Sequence, residues 1–358
     1  MTQRERFRAV YEYQPVDRPP VHLVGPWQDT LERWYREGLP RGADLNEYFE
    51  ITPMRLNNIS GKTGMWPAFE PRVLSEDEEF TVELDESGRT VRKFKGHTSM
   101  PEWLDFPVKN PADLQKLLDE HWNVDDLSAR YTPEWEDTVQ AAETRDEIVL
   151  IDGGCYYWSL RAVSGVDGAS YLLYDAPELV DELLERVNYV CIEGLKRASK
   201  LTKIDVIGYG EDVAFKTGPL VSPTMFRKLW IPRYRKLMDL AHDLGIHMTW
   251  YDSDGDLRQL LPDLIAAGIT MTAPCEVAAG MSAPELRRSF GRELRMAGAI
   301  DKREIAKGPA AIDAEFARNR AVIEDGGFLP AIDHSVPADV SWANYCYFME
   351  KLKAVVGG

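Results

Sequence analysis

The second half of the chain repeats one event. A short apolar run ends in a turn that carries acidic or histidine side chains. The runs cover residues 206–210 before Glu211 and Asp212, 247–251 before Asp252, Asp254 and Asp256, 269–275 before Glu276, 294–300 before Asp301, and 328–332 before Asp333 and His334. Each is short enough for a buried strand, and stretches of helical period separate most of them. That alternation predicts a parallel barrel whose strand ends converge on one mouth. Carboxylates far apart in sequence then meet in space, which is costly unless a metal, another cation or shared protons compensate. The cluster therefore points to chemistry.

A chain of 358 residues with 44% hydrophobic side chains can bury a full core. No apolar run approaches the roughly 20 residues of a membrane span. The opening residues 1–8 lead into a polar helix and not a signal peptide, so a soluble, cytoplasmic protein is expected. A formal net charge of -17 argues against nucleic-acid and anionic-membrane partners. Cys155, Cys191, Cys275 and Cys346 are scattered without disulfide or structural-zinc spacing and read as reduced core thiols.

Along the chain, a helix is predicted over 2–13, followed by a proline-rich entry into a first strand at 21–24. A second helix covers 30–37, and 48–54 reads as extended. Alternation over 80–94 around an Asp/Ser/Gly turn predicts a β-hairpin in an N-terminal elaboration spanning 1–146. The regular units then run over 147–358: strand 148–152, helix 177–200, strand 206–209, helix 223–244 and a last helix at 342–356. Nothing marks a linker, so one compact domain is expected.

The residues carrying a family likeness are Arg4-Glu5-Arg6-Phe7 through Pro15-Val16-Asp17-Arg18-Pro19-Pro20, Gly210-Glu211-Asp212 through Gly218-Pro219-Leu220-Val221-Ser222-Pro223, Asp252-Ser253-Asp254-Gly255, Ala297-Gly298-Ala299-Ile300-Asp301-Lys302, and Gly326-Gly327 through Asp333-His334-Ser335-Val336-Pro337. Together they resemble the uroporphyrinogen decarboxylase superfamily over nearly the whole chain. The resemblance implies a (β/α)8 TIM barrel and one of two chemistries. One is decarboxylation of a tetrapyrrole; the other is methyl transfer involving a corrinoid protein and usually zinc.

Departures from the family pattern favour the second. The decarboxylases carry an arginine-containing segment after the first strand, whereas residues 23–29 here contain no arginine. Their early aspartate falls in residues 51–65, which hold no acidic residue. An acidic mouth also repels a polyanionic tetrapyrrole. In the zinc methyltransferases a His-x-Cys pair and a later Cys bind the metal; by position the pair falls on Asp252 and Asp254, and the third ligand lies near His334. With thiolates absent, Asp252, Asp254, Glu276 and His334 remain as a hard donor set that zinc accepts.

The resulting expectation is a metal-assisted methyltransferase or demethylase that moves a methyl group from a small substrate to a corrinoid on a partner protein. Asp301, His334 and Glu211 are the expected catalytic residues. Asp212, Lys216, Tyr156, Tyr157, Trp27 and Arg303 are expected to bind substrate, with Trp66 and Trp158 as further candidates for an apolar wall. Alternative roles are structural: Asp256 and Asp301 as helix N-caps, Glu211 and Asp212 in a salt bridge with Lys216. The alternative activities are a decarboxylase of a tetrapyrrole or smaller carboxylate, and a non-catalytic barrel that binds a tetrapyrrole or corrinoid. A homodimer is compatible with either activity.

Overall fold

The computed structural model describes residues 1–96, 100–144 and 146–356. Among them, seven parallel strands form one curled sheet whose spatial order follows the chain: Leu56–Asn58, Ile148–Gly154, Val206–Gly210, Met248–Asp252, Met271–Cys275, Arg295–Ile300 and Phe328–Ile332. Neighbouring side chains on each strand face opposite ways. Ile148, Leu150, Val206, Met248, Trp250, Ala297 and Leu329 pack together inside the barrel. Val149, Ile151, Ile207, Tyr251, Met296 and Phe328 pack in the outer core with the helices. Both faces are covered, which is why these strands read as continuous apolar runs.

The first helix, Gln3–Tyr11, closes the base of the barrel. Thr2 and Glu5 form a capping box at its start, a device worth about 1 kcal/mol. Phe7, Val10 and Tyr11 enter the interior cluster, and Arg4 and Arg8 pair with the buried Asp205. With the base plugged, the barrel opens at the C-terminal ends of its strands. There Asp252 is level with Gly210, and Ile300 with Ile332, so the turns that follow emerge side by side.

The predicted strand at 21–24 is an irregular segment. It fills the gap between the first and last strands: Met54 N–H donates to Val21 O at 2.8 Å, and Val336 N–H donates to Gly25 O at 3.1 Å. Pro19, Pro20 and Pro26 offer no N–H, so a regular ladder cannot extend along this stretch. The barrel is thus laced by seven strands and seamed by an eighth segment.

The predicted hairpin is present as Phe80–Leu84 and Thr90–Phe94, and it belongs to a four-stranded antiparallel sheet with Arg72–Glu76 and Glu102–Asp105. Asp85 shapes the turn by accepting from Ser87 N and Arg89 N, both at 2.9 Å. Three other expectations need correction. The helix expected over 223–244 is two, Pro223–Leu229 and Ile231–Asp243, the second starting beside Pro232. The helix expected directly after an Asp256 cap begins later, as Leu261–Ala266 with Pro262 in its first turn. Residues 48–54 follow the short helix Leu45–Tyr48 as irregular chain, not a strand. Among the described residues no helix is long and apolar enough to cross a membrane.

Candidate active site at the barrel mouth

A cavity of about 520 Å³ opens at the strand ends. Its acidic wall is Asp212, Asp252 and Asp254, with His334 beside Asp254; Leu23, Val24, Trp250, Pro274 and Ile332, together with His22, supply a less polar wall. No Lys or Arg is among the lining residues. The turn that presents the acids is held by Gly255, whose φ of +86° and close packing on Ala214 and Phe215 leave no room for a side chain. Asp212 itself adopts a left-handed φ of +47°, a conformation that aspartate tolerates better than most residues.

Crowding sets the charge state of these groups. Asp252 meets the water of the cavity, yet the walls of the mouth enclose it. That desolvation, together with the charges of Asp254 and Asp212, pushes its carboxyl up to about 6. Asp212 is raised for the same two reasons, desolvation first and Asp254 second. His334 Nε2 lies 3.5 Å from Asp254 Oδ2, and this pairing raises the imidazole above its ordinary value. His22, edge-on to Trp250 at 5.3 Å, is pushed down to about 4 by burial and stays neutral. The mouth thus favours the protonated form of His334 and disfavours full ionisation of Asp252 and Asp212.

The other strand-end acids occupy the same end of the barrel but serve different contacts. Glu211 is fully buried. Its carboxylate accepts from Tyr156 N at 3.0 Å, Tyr157 N at 2.6 Å and Tyr234 Oη at 2.7 Å, pinning the start of the helix Tyr156–Asp175. Burial pushes Glu211 up to about 7 against those bonds. Asp333 accepts from Val277 N and Lys302 N, both at 3.0 Å. Glu276 accepts from Gly255 N at 3.2 Å and Lys302 Nζ at 3.1 Å. Asp301 caps the helix Lys302–Ile305 and takes a forked bond from Arg303. Burial raises the Asp301 carboxyl, but the Arg303 contacts outweigh it and hold it low.

The structure therefore divides the expected site. Asp212, Asp252, Asp254 and His334 come together around the cavity, whereas Glu211, Glu276 and Asp301 tie strand ends to neighbouring turns. Tyr156 and Tyr157 lie in the core and do not line the cavity. Lys216 is exposed near the tip of the hairpin formed by Ala214–Phe215 and Gly218–Pro219. Arg303 is engaged by Asp301. Trp27 stacks near His334 at 6.3 Å, Trp158 packs on Arg161, and Trp66 receives Lys62 Nζ at 3.7 Å. Asp256 does not cap a helix start but binds Arg258.

Among the described residues no three His, Cys, Asp or Glu side chains stand close enough to grip one metal ion as placed. The chemistry of the donors on the mouth still suits a hard divalent cation: Asp212, Asp252 and Asp254 with His334. Glu276 is committed to Lys302 and Gly255 and does not face the cavity.

The family model for uroporphyrinogen decarboxylase (URO-D) matches residues 158–355, more than half of the chain. The chain belongs to that family. Among solved structures, a methyltransferase from Methanosarcina mazei is similar with a TM-score of 0.63 at 16% sequence identity, over 100% of both chains. At that identity the likeness bears on the fold. No curated protein matches the chain.

The matched region of this URO-D family member starts just after the second barrel strand, so the antiparallel sheet lies outside it. Two groups near the acids lie outside the pattern of apolar runs with acidic ends. His22, on the segment expected as the first strand, lines the cavity. Arg161 sits within the helix Tyr156–Asp175, behind the acidic wall. Its guanidinium lies 3.6 Å from Asp212.

Proposed function

We propose that the mouth is the active site of a methyl-transferring enzyme acting on a small methylated oxygen compound, with a corrinoid on a separate protein as acceptor. The observation that carries this reading is the cavity lined by Asp212, Asp252, Asp254 and His334 without a lysine or arginine. Each close carboxylate pair costs about 4 kcal/mol at 4 Å in a surface-like dielectric. A substrate with many carboxylates therefore meets several times the repulsion of a singly charged one, and a neutral one meets none. The name of the Methanosarcina relative agrees with this direction.

In the reaction, the bond between methyl carbon and substrate oxygen breaks as the methyl group passes to the acceptor. The electron pair stays on oxygen, which must then take a proton. His334 is placed to give it: Asp254 favours the protonated imidazole, and the ring lines the cavity. Trp250, Leu23 and Ile332 exclude water from the methyl end. A divalent cation held by the carboxylates of Asp212, Asp252 and Asp254 would supply Lewis-acid polarisation of that oxygen, leaving His334 free to give the proton.

The test is direct. Purified protein, supplied with reduced cobalamin and a panel of small methyl ethers, should form methylcobalamin with at least one donor. Uroporphyrinogen should remain unconverted. Efficient production of coproporphyrinogen would put decarboxylation first and reject this assignment.

A further inference from the structure

Arg161 stands in the second turn of the helix Tyr156–Asp175, just behind the acidic wall. Its side chain is only 17% exposed, yet its charge is poorly matched. Nη1 is 3.6 Å from the nearest Asp212 carboxylate oxygen, beyond a hydrogen bond, and reaches the Asp212 carbonyl at 3.4 Å. Nε is buried with no partner among the described residues. Arg233 and Arg287 also bury an Nε without a hydrogen bond, but their other nitrogens donate at 3.0 Å or less, and other structural arginines are engaged more fully still. Arg130 donates to Lys62 O at 2.6 Å, Gly64 O at 2.7 Å and Asn123 O at 3.1 Å. Arg318 donates to Glu315, Ser282 and Ala299 at 3.0, 3.0 and 3.2 Å.

The Arg161 fork is nevertheless held in place. Its guanidinium carbon lies 5.3 Å from the ring of Trp103 and 5.2 Å from that of Trp158. Trp158 precedes it on its own helix, and Trp103 belongs to Glu102–Asp105 of the antiparallel sheet. Aromatic faces orient a guanidinium without consuming its N–H groups. The arrangement is a preorganised cation whose hydrogen-bonding capacity is incompletely used, one side chain from the cavity. Planar donors of this kind match a carboxylate.

We propose that Arg161 binds a carboxylate of the substrate, so that the substrate class is a small methoxy acid. This rests on the methyl-transfer reading for the methoxy part, while the carboxylate part rests on Arg161 alone. The carboxylate sits at the Arg161 rim and the methoxy group in the cavity beside His334. Ion pairing stabilises the carboxylate, so it serves as a handle and not as a leaving group. Trp103 makes the antiparallel sheet a component of the site.

The experiment compares methoxyacetate with uncharged 2-methoxyethanol by calorimetry. Wild type should bind methoxyacetate at least about tenfold more tightly, the range expected for hydrogen bonds to a charged group. Arg161→Gln should remove that preference by weakening methoxyacetate alone, and Arg161→Lys should retain part of it. Circular dichroism checks the fold; Arg161→Lys carries the test if Arg161→Gln does not fold. Equal affinities in wild type, no binding of methoxyacetate, or a preference untouched by both variants overturns the assignment. An Arg161-dependent preference with no methyl transfer to cobalamin, or with release of carbon dioxide, keeps the carboxylate site and rejects the methyl-transfer reading. Methyl transfer that ignores the carboxylate rejects the present proposal only.

Discussion

Two sets of carboxylates share one end of the barrel, and they differ in what donates to them. Glu211, Asp333 and Asp301 each receive backbone N–H groups, a hydroxyl or an arginine fork. Asp252 and Asp212 receive little and are pushed up by burial and by Asp254. The first set stitches the strand ends together; the second faces open space and repels itself. A strand-end position alone does not separate stitch from site. The donor count does.

The sharpest way to break this comparison is to remove one member from each set. Glu211→Ala leaves Tyr156 N, Tyr157 N and Tyr234 Oη without their acceptor, so urea unfolding should show a loss of about 3–5 kcal/mol. Asp252→Ala should change stability by less than about 1 kcal/mol, because it removes a repelled charge on a cavity wall. Similar losses for the two would erase the distinction. Glu211 also carries a pH signature. Its folded-state value of about 7 lies above the ordinary 4.5, so its contribution is fully present below pH 4.5 and is lost as pH rises to 7. With the group fully buried, the difference between wild type and Glu211→Gln over that window should be about 3 kcal/mol.

The next effect concerns chemistry. His334→Ala should lower methyl transfer by about 100-fold or more, the range for a general acid, while the melting temperature stays close to that of wild type. A full-rate variant would remove His334 from the reaction. Asp254→Asn sharpens the same point. His334 is raised by Asp254, so losing that charge should move the alkaline limb of the rate profile to lower pH. An unmoved limb would mean that another group gives the proton.

The smallest effect belongs to the stitches. Asp301→Ala should cost about 1 kcal/mol as a lost helix cap, with catalytic rate preserved. A large fall in rate at unchanged stability would return Asp301 to the site.

The barrel was legible because its strands are covered on both faces and so appear as apolar runs with acidic ends. Asp252, Asp254 and His334 were legible for the same reason. What escaped was the direction of each side chain. Glu211 and Asp212 are adjacent, yet one turns inward to the Tyr156 helix start and the other toward the cavity through a φ of +47°. No periodicity encodes that reversal. Arg161 escaped because its partners, Trp103 and Asp212, are brought to it by the antiparallel sheet and by a different strand. The segment at 21–24 was misread because a run of apolar residues was weighed above the prolines that bracket it.

That seam bears on motion as well as on closure. His22, Leu23, Val24 and Gly25 line the cavity, so one wall of the pocket is built from the stretch with the fewest backbone bonds in the barrel. Local opening is cheapest where the ladder is thinnest. In amide hydrogen exchange, residues 22–25 should trade protons well before the strands on either side, and a ligand that fills the cavity should slow them. A pocket walled in this way can widen to admit its guest while the laced strands opposite keep the acids and His334 in register.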